Sequence, residues 1–176
     1  MKQELKQTNE NAMRKIKLEK VVLSCGATGP DLEKSKQLLE MLTDKKAQIV
    51  HSGPKRRIPN FGVKPMMPLG TMVTLRGKDA VETLRRMFVA IDNRIKKKQI
   101  AKNNFSFGIQ EYIEIPGVEY RREIGIRGLN VTATFIRSGV RVKRKKIKSS
   151  KLPEKQNISK EEIVEFIKET FNTEVI

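Results

Sequence analysis

An α+β fold is predicted by two observations on this chain. Segments with the period of half-buried strands, Lys17–Cys25, Thr71–Arg76 and Leu129–Ile136, are interleaved with segments whose apolar residues recur at helical spacing. Some connections are those helices and others are short turns built on Pro116-Gly117 and Gly125 to Gly128, so the strands and helices must stack as layers of one domain. With 176 residues and 38% hydrophobic content, the chain has enough apolar surface to close a core.

Residues 1–13 read as a polar N-terminal arm. Lys17 to Cys25 (KLEKVVLSC) begins with alternation and continues as a buried Val-Val-Leu run, which Gly26, Gly29 and Pro30 break. Leu32, Ser35, Leu38, Leu39 and Leu42 then share one helical face, with Asp31 placed to cap its start. A second helix is expected from Asp79 to Lys97, presenting Val81, Leu84, Met87, Phe88, Ile91 and Ile95, with Arg94, Lys96, Lys97 and Lys98 at its C-terminal end. Phe105 to Ile115 mixes aromatic and β-branched residues as a strand does, and Leu129 to Ile136 alternates cleanly. Near the C-terminus, Ser159 and Glu162 form a capping-box pattern flanked by Ile158 and Ile163, which act as a hydrophobic staple. Ile163, Phe166, Ile167 and Phe171 give that last helix an apolar face that needs a surface to pack on.

Charge narrows the function. Lys and Arg number 37 against 20 Asp and Glu, a net charge of +17, and an excess of that size opposes compaction unless a polyanion neutralises it. Nucleic acid is the expected polyanion, because phosphate contacts release counterions and supply most non-specific affinity. No apolar run approaches the length of a membrane span, and the polar N-terminus lacks the apolar core of a signal peptide. A single cysteine, Cys25, excludes an intramolecular disulfide and fits a reducing compartment. A cytoplasmic protein is expected.

Two tracts concentrate the positive charge. The loop at 53–67 carries Lys55, Arg56, Arg57 and Lys64 with no acid among them, and Phe61 between the cations offers a face for stacking a base or ribose. So long a loop with no structure of its own is usually functional or disordered. The tract 141–151 (RVKRKKIKSSK) holds seven cations and no acid, Arg141, Lys143, Arg144, Lys145, Lys146 and Lys148 among them, a density that a packed element would hardly tolerate. Signals for catalysis are weak. His51 is the only histidine and is read as facing solvent or RNA, and Cys25 as a small core residue. The CGATGPD turn, Cys25 to Asp31, lacks both the dinucleotide-binding and Walker patterns and is read as an ordinary tight turn. No catalytic residue, metal or cofactor is expected.

In the order and spacing of its segments the chain resembles the universal large-subunit ribosomal protein that binds 5S ribosomal RNA, L-five of bacteria and L-eleven of eukaryotes. The segments that carry the resemblance are Met13–Lys17, Glu19–Gly26, Leu32–Thr43, Phe61–Lys64, Val73–Gly77, Asn104–Ile115 and Gly125–Leu129. The ending Ile158 to Phe171 looks like the archaeal and eukaryotic branch. Composition and pattern divide the chain into an arm at 1–13, an RNA-binding body at 14–139 and a basic extension at 140–176 that ends in a short helix. The resemblance implies an antiparallel sheet with helices packed on one face and a long basic loop. It also implies a non-catalytic place in the central protuberance, against 5S rRNA, large-subunit rRNA and neighbouring ribosomal proteins, with the basic loop reaching toward the P-site tRNA. A nuclear or nucleolar assembly stage follows if the source is eukaryotic.

Carried onto this sequence, the resemblance places Ser24, Lys45 and Thr74 on the 5S-facing sheet side, with Arg14, Lys15, Lys17 and Arg76 nearby. Lys55, Arg56, Arg57, Phe61 and Lys64 would meet phosphate or transfer RNA. Ser24 stands where the family has asparagine, and Asp44-Lys45-Lys46-Ala47 where it has Gly-Gln-Lys-Pro. Pro65-Met66-Met67-Pro68 replaces a more charged segment in the loop. Two rival readings are a free-standing RNA-binding or assembly factor and an RNA-modifying enzyme. The enzyme would require a cofactor pocket and a general base, and the sequence displays neither pattern.

Overall fold

Alternation in the strands and the placement of the turns build one antiparallel sheet in this computed structural model, which describes residues 12–176. The polar arm expected at 1–13 falls almost wholly outside the described residues; only Ala12–Arg14 is seen, as a 3-10 turn. In chain order the elements are β1 (Lys17–Gly26), α1 (Asp31–Thr43), β2 (Gln48–His51), β3 (Pro68–Leu75), α2 (Lys78–Val89), β4 (Arg94–Ile95), β5 (Ile100–Ala101), β6 (Asn104–Ile109), β7 (Leu129–Ile136), α3 (Arg141–Arg144), α4 (Lys160–Phe171) and β8 (Glu174–Val175). Six strands form the main sheet in the order β2-β3-β1-β7-β6-β5, every pairing antiparallel, and β4 and β8 pair in parallel as a separate two-stranded ribbon.

One face of the sheet is the core. Val21, Leu23 and Cys25 of β1, Val73 and Leu75 of β3, Phe105, Phe107 and Ile109 of β6, and Val131, Ala133 and Phe135 of β7 all point into it. Leu38, Leu39 and Leu42 of α1 and Leu84, Met87 and Phe88 of α2 cover that face. The apolar face of α4 finds its surface here too, since Ile158, Ile163 and Ile167 belong to the same buried cluster. Phe88 is the hub, with its ring 5.8 Å from Phe105, 5.6 Å from Phe107 and 5.1 Å from Phe171. Strands β1 and β3 approach so closely at Gly70 that a Cβ there would lie 2.6 Å from the Cys25 carbonyl oxygen, so only glycine fits.

The α4 cap forms as its pattern predicts. The Ser159 hydroxyl accepts from the Glu162 amide, and the Glu162 carboxylate accepts from the Ser159 amide. Arg137, itself buried, also donates to Glu162 and to the carbonyls of Arg14, Lys155 and Asn157, tying the N-terminal turn and the extension to the end of β7. Burial alone would raise the Glu162 carboxyl, but the Ser159 amide and the Arg137 guanidinium outweigh it and hold the group below its ordinary value. A depressed folded-state value means that this stabilisation is present above the ordinary carboxylate range and is lost as pH falls through the folded value. The expected outcome is that Glu162→Gln flattens the acid limb of a stability-versus-pH curve below about pH 4.5 and leaves its neutral-to-alkaline side parallel to wild type; chemical denaturation at a series of pH values reads this directly.

Three local expectations are corrected. Asp31 is the first residue of α1 rather than its cap, because Pro30 precedes the helix without a side-chain bond and the Asp31 carboxylate instead takes Arg127. The second helix ends at Val89, not Lys97, because Asp92 and Asn93 adopt left-handed backbone with φ of 54° each and turn the chain out. Ile95 is still buried, but as a strand residue paired with β8. The strand expected over Phe105–Ile115 stops at Ile109, and Tyr112–Glu114 forms a 3-10 turn. The tract after Gly139 contains a single helical turn, α3, with no buried residue.

Candidate nucleic-acid interface

The second face of the sheet is not covered by α1, α2 or α4, and the register defines what it displays. A first row crosses from Gln48 through Met72, Ser24 and Asn130 to Gly108. The next runs Thr74, Val22, Thr132, Ser106, and the third Lys20, Thr134, Asn104. Most of these side chains are hydroxyls or amides. Ser24, Gln99, Ser106, Gly108, Asn130 and Thr132 line a shallow depression of about 430 Å³ at its centre. Such groups donate and accept single hydrogen bonds without demanding a charge partner.

Charge is sorted between the two sides. Helices α1, α2 and α4 carry three, two and four acidic residues. Among the strands of the main sheet only Glu19 is acidic, and its carboxylate is bound by Arg144. Among the strands, the open side therefore offers no carboxylate except this paired one.

The basic loop has a structure of its own, against expectation. Ile58 and Val63 exchange both backbone hydrogen bonds, at 3.0 and 3.1 Å, and Pro59–Phe61 forms a 3-10 turn closed by Gly62 at φ 64°. Ser52, buried at the base, ties the two stems together, its hydroxyl donating to the Lys64 carbonyl at 2.9 Å and its amide to that of Met67 at 2.8 Å. The result is a small hairpin that holds Lys55, Arg56, Arg57 and Lys64 outward; among the described residues none of the four forms an ion pair. Phe61, 81% exposed, projects from its tip. Local hydrogen bonds alone explain this order, which charge counting could not reveal.

The expected site residues divide. Ser24 and Thr74 stand on the open face, one row apart, with Lys17 at its edge beside Ile136 and Arg76 just past the end of β3. Lys45 does not join them. It follows α1 and its ammonium is paired with Asp79 in the first turn of α2, where it holds the Asp79 carboxyl below its ordinary range. Arg14 and Lys15 line a groove of about 550 Å³ whose other wall is Glu162, Glu165 and Glu169 of α4. Arg141, Lys143, Lys145, Lys146 and Lys148 are exposed, and Arg144 reaches Glu19. Sequence reasoning misses Asn130, Thr132, Ser106 and Gln99. The alternation of LNVTATFI already places Asn130 and Thr132 on one face; only the pairing with β1 and β6 shows which face that is.

Other candidates resolve quietly. Burial pushes the Cys25 thiol up to about 11, against the pull of Arg127, so it is not a thiolate near neutrality. The first turn of α1 already holds Asp31 and Glu33, which compensate the positive helix end and would repel a phosphate. His51 ends β2, exposed.

The fold and this face define a class: an α+β protein with one side closed by helices and the other presenting neutral polar groups amid unopposed cations. A family model described as the ribosomal L5P family C-terminus matches residues 68–166. Proteins named large ribosomal subunit protein uL5 are similar over nearly the whole chain. That of Sulfurisphaera tokodaii is 43% identical, covering 94% of this chain and 95% of its own. That of Nanoarchaeum equitans is 39% identical with 95% and 99% covered, and that of Methanosphaera stadtmanae 38% with 94% and 99%. The chain belongs to the ribosomal L5P family. Membership makes it a ribosomal protein with a structural rather than a catalytic role. The relatives are archaeal, so the conditional expectation of a nuclear stage has no bearing. No helix among the described residues is long and apolar enough to cross a membrane.

Proposed function

We propose that this chain is built into the large ribosomal subunit by binding 5S rRNA across the open face of its sheet, at the central protuberance, with large-subunit rRNA and neighbouring ribosomal proteins around it. The observation that carries this reading is the uncovered grid of hydroxyls and amides, Ser24, Thr74, Ser106, Asn130 and Thr132, on a face with no free carboxylate. Structured RNA is recognised through backbone, 2′-hydroxyl and shape contacts, and such a grid matches that chemistry. The cations at its margins, Lys17, Lys20 and Arg76, draw in phosphates. Lys45, already neutralised by Asp79, contributes little to that field.

The β2–β3 hairpin is the second arm of the interface. Its ordered backbone holds four cations clear of the body, and Phe61 at the tip is placed to stack on an exposed base or ribose. In this reading the hairpin reaches toward the P-site tRNA. Replacing Lys55, Arg56, Arg57 and Lys64 by Ala is expected to lower the slope of log affinity against log salt by about one for each phosphate no longer neutralised, roughly two to four altogether, with the fold intact. An unchanged slope in a filter-binding salt series would remove the hairpin from the interface.

A further inference from the structure

Glu19 is out of place on a surface for phosphates. It occupies the β-bulge between Leu18 and Lys20, where the extra residue re-aims a side chain. Its side chain is only 9% exposed, while that of Arg144, whose Nη1 donates to Glu19 Oε1 at 2.5 Å, is 56% exposed. The other oxygen, Oε2, is buried with no hydrogen-bond partner among the described residues. A buried carboxylate costs desolvation, and one beside an RNA surface also repels phosphate. The pairing with Arg144, with Lys20 and Arg76 close by, keeps the group ionised despite these costs: its carboxyl lies below the ordinary range.

What Glu19 holds is the basic tract. Arg144 ends α3, a turn with no buried residue of its own. Val140, Lys143, Arg144 and Leu152 border a cavity of about 310 Å³ whose floor includes Glu19, Thr134 and Ile136, so the turn lies over the end of the open face. Beyond Arg144, the Lys145 amide donates to the Arg141 carbonyl at 3.0 Å and the Ser150 amide to that of Val142 at 3.3 Å, which folds Lys145, Lys146 and Lys148 back beside the turn.

We infer that Glu19 is a positioning residue for RNA binding. By clasping Arg144 it lays residues 141–148 along the end of the open face, so that tract and sheet meet a structured RNA as one surface. The inference rests on the reading that this face takes RNA. It reverses a sign. Charge alone says that removing a carboxylate from a phosphate-binding face tightens binding. The clasp says that it weakens binding, because several cations must then be ordered by the RNA itself.

The test uses the full chain, 5S RNA transcript at physiological salt, and four proteins: wild type, Glu19→Gln, a tract variant with Arg141, Lys143, Lys145 and Lys146 replaced by Ala, and the combination. Glu19→Gln is expected to bind about tenfold more weakly. It is expected to have no further effect in the tract variant. Amide exchange on the free proteins reads the clasp without RNA: protection of Lys145 and Ser150 should fall in Glu19→Gln. Binding by Glu19→Gln equal to or tighter than wild type, or an undiminished loss in the tract variant, would overturn the inference. Arg144→Met breaks the pair from its exposed side and serves if Glu19→Gln does not fold. Its salt slope should drop by more than the about one unit that a single cation supplies, and a drop of about one or less would also overturn the inference. Failure of wild type itself to bind would defeat the proposed function and this inference together, and is distinguished from failure of the clasp alone by the wild-type curve.

Discussion

Thr132→Glu is expected to weaken RNA binding by about a hundredfold while leaving the fold intact. Thr132 stands between Val22 and Ser106 in the middle row of the open face and lines its central depression. Half-exposed there, its side chain points away from the core, so a longer polar group has room to extend outward. A carboxylate at that point would face phosphates and lose water without gaining a partner, and like-charge juxtaposition costs several kcal/mol, with each 1.4 kcal/mol about tenfold in affinity. Gln37→Glu changes net charge by the same amount on the outer, exposed surface of α1. It is expected to change affinity by less than about twofold, since charges farther apart than roughly 10 Å are screened. Gel-shift titration of both variants separates a located interface from a general effect of net charge. Equal losses in both would mean that the open face has no special role.

Phe88→Ala should produce the largest loss of stability, about 3–5 kcal/mol. The ring is buried and stacks on Phe105 and Phe107 of β6 while touching Phe171 at the end of α4. Truncation empties the point where α2, the sheet and the C-terminal helix meet, and relaxation there is limited because three rings define the space. Against a total stability of roughly 5–15 kcal/mol this is a large fraction, and a drop of roughly 10 °C in melting temperature follows for a domain of this size. Calorimetry reads it. A loss below about 1 kcal/mol would mean that α4 is not held by this cluster.

Local signals are readable in the sequence and distant ones are not. The capping box at Ser159 and Glu162, with Ile158 and Ile163 flanking it, forms as its pattern predicts because all its partners lie within one turn. The alternation of Leu129–Ile136 marks β7 to the residue for the same reason. The C-terminal end of α2 escapes such reading because Ile91 and Ile95 keep helical spacing across a turn at Asp92 and Asn93. What claims Ile95 is a strand at Glu174–Val175, far along the chain and invisible to any window on the helix. Lys45 shows the same limit at the site. The resemblance leads one to expect it on the RNA side, but its charge is spent on Asp79, an ion pair that the fold makes between the segment after α1 and the first turn of α2. Asn130, Thr132 and Ser106 become a surface only through pairing, which aligns one face of three strands; that β6 and β7 carry no acid and β1 only Glu19 is already present in their composition.

The most direct measurement is binding of the purified chain to 5S RNA from its own source across a salt series, with transfer RNA and an unrelated hairpin as competitors. Recognition by an ordered polar grid predicts a strong preference for 5S RNA that persists at physiological salt, because hydrogen bonds fixed in register do not depend on released counterions. Equal affinity for all three RNAs, collapsing together as salt rises, would contradict it and leave charge alone as the basis of binding.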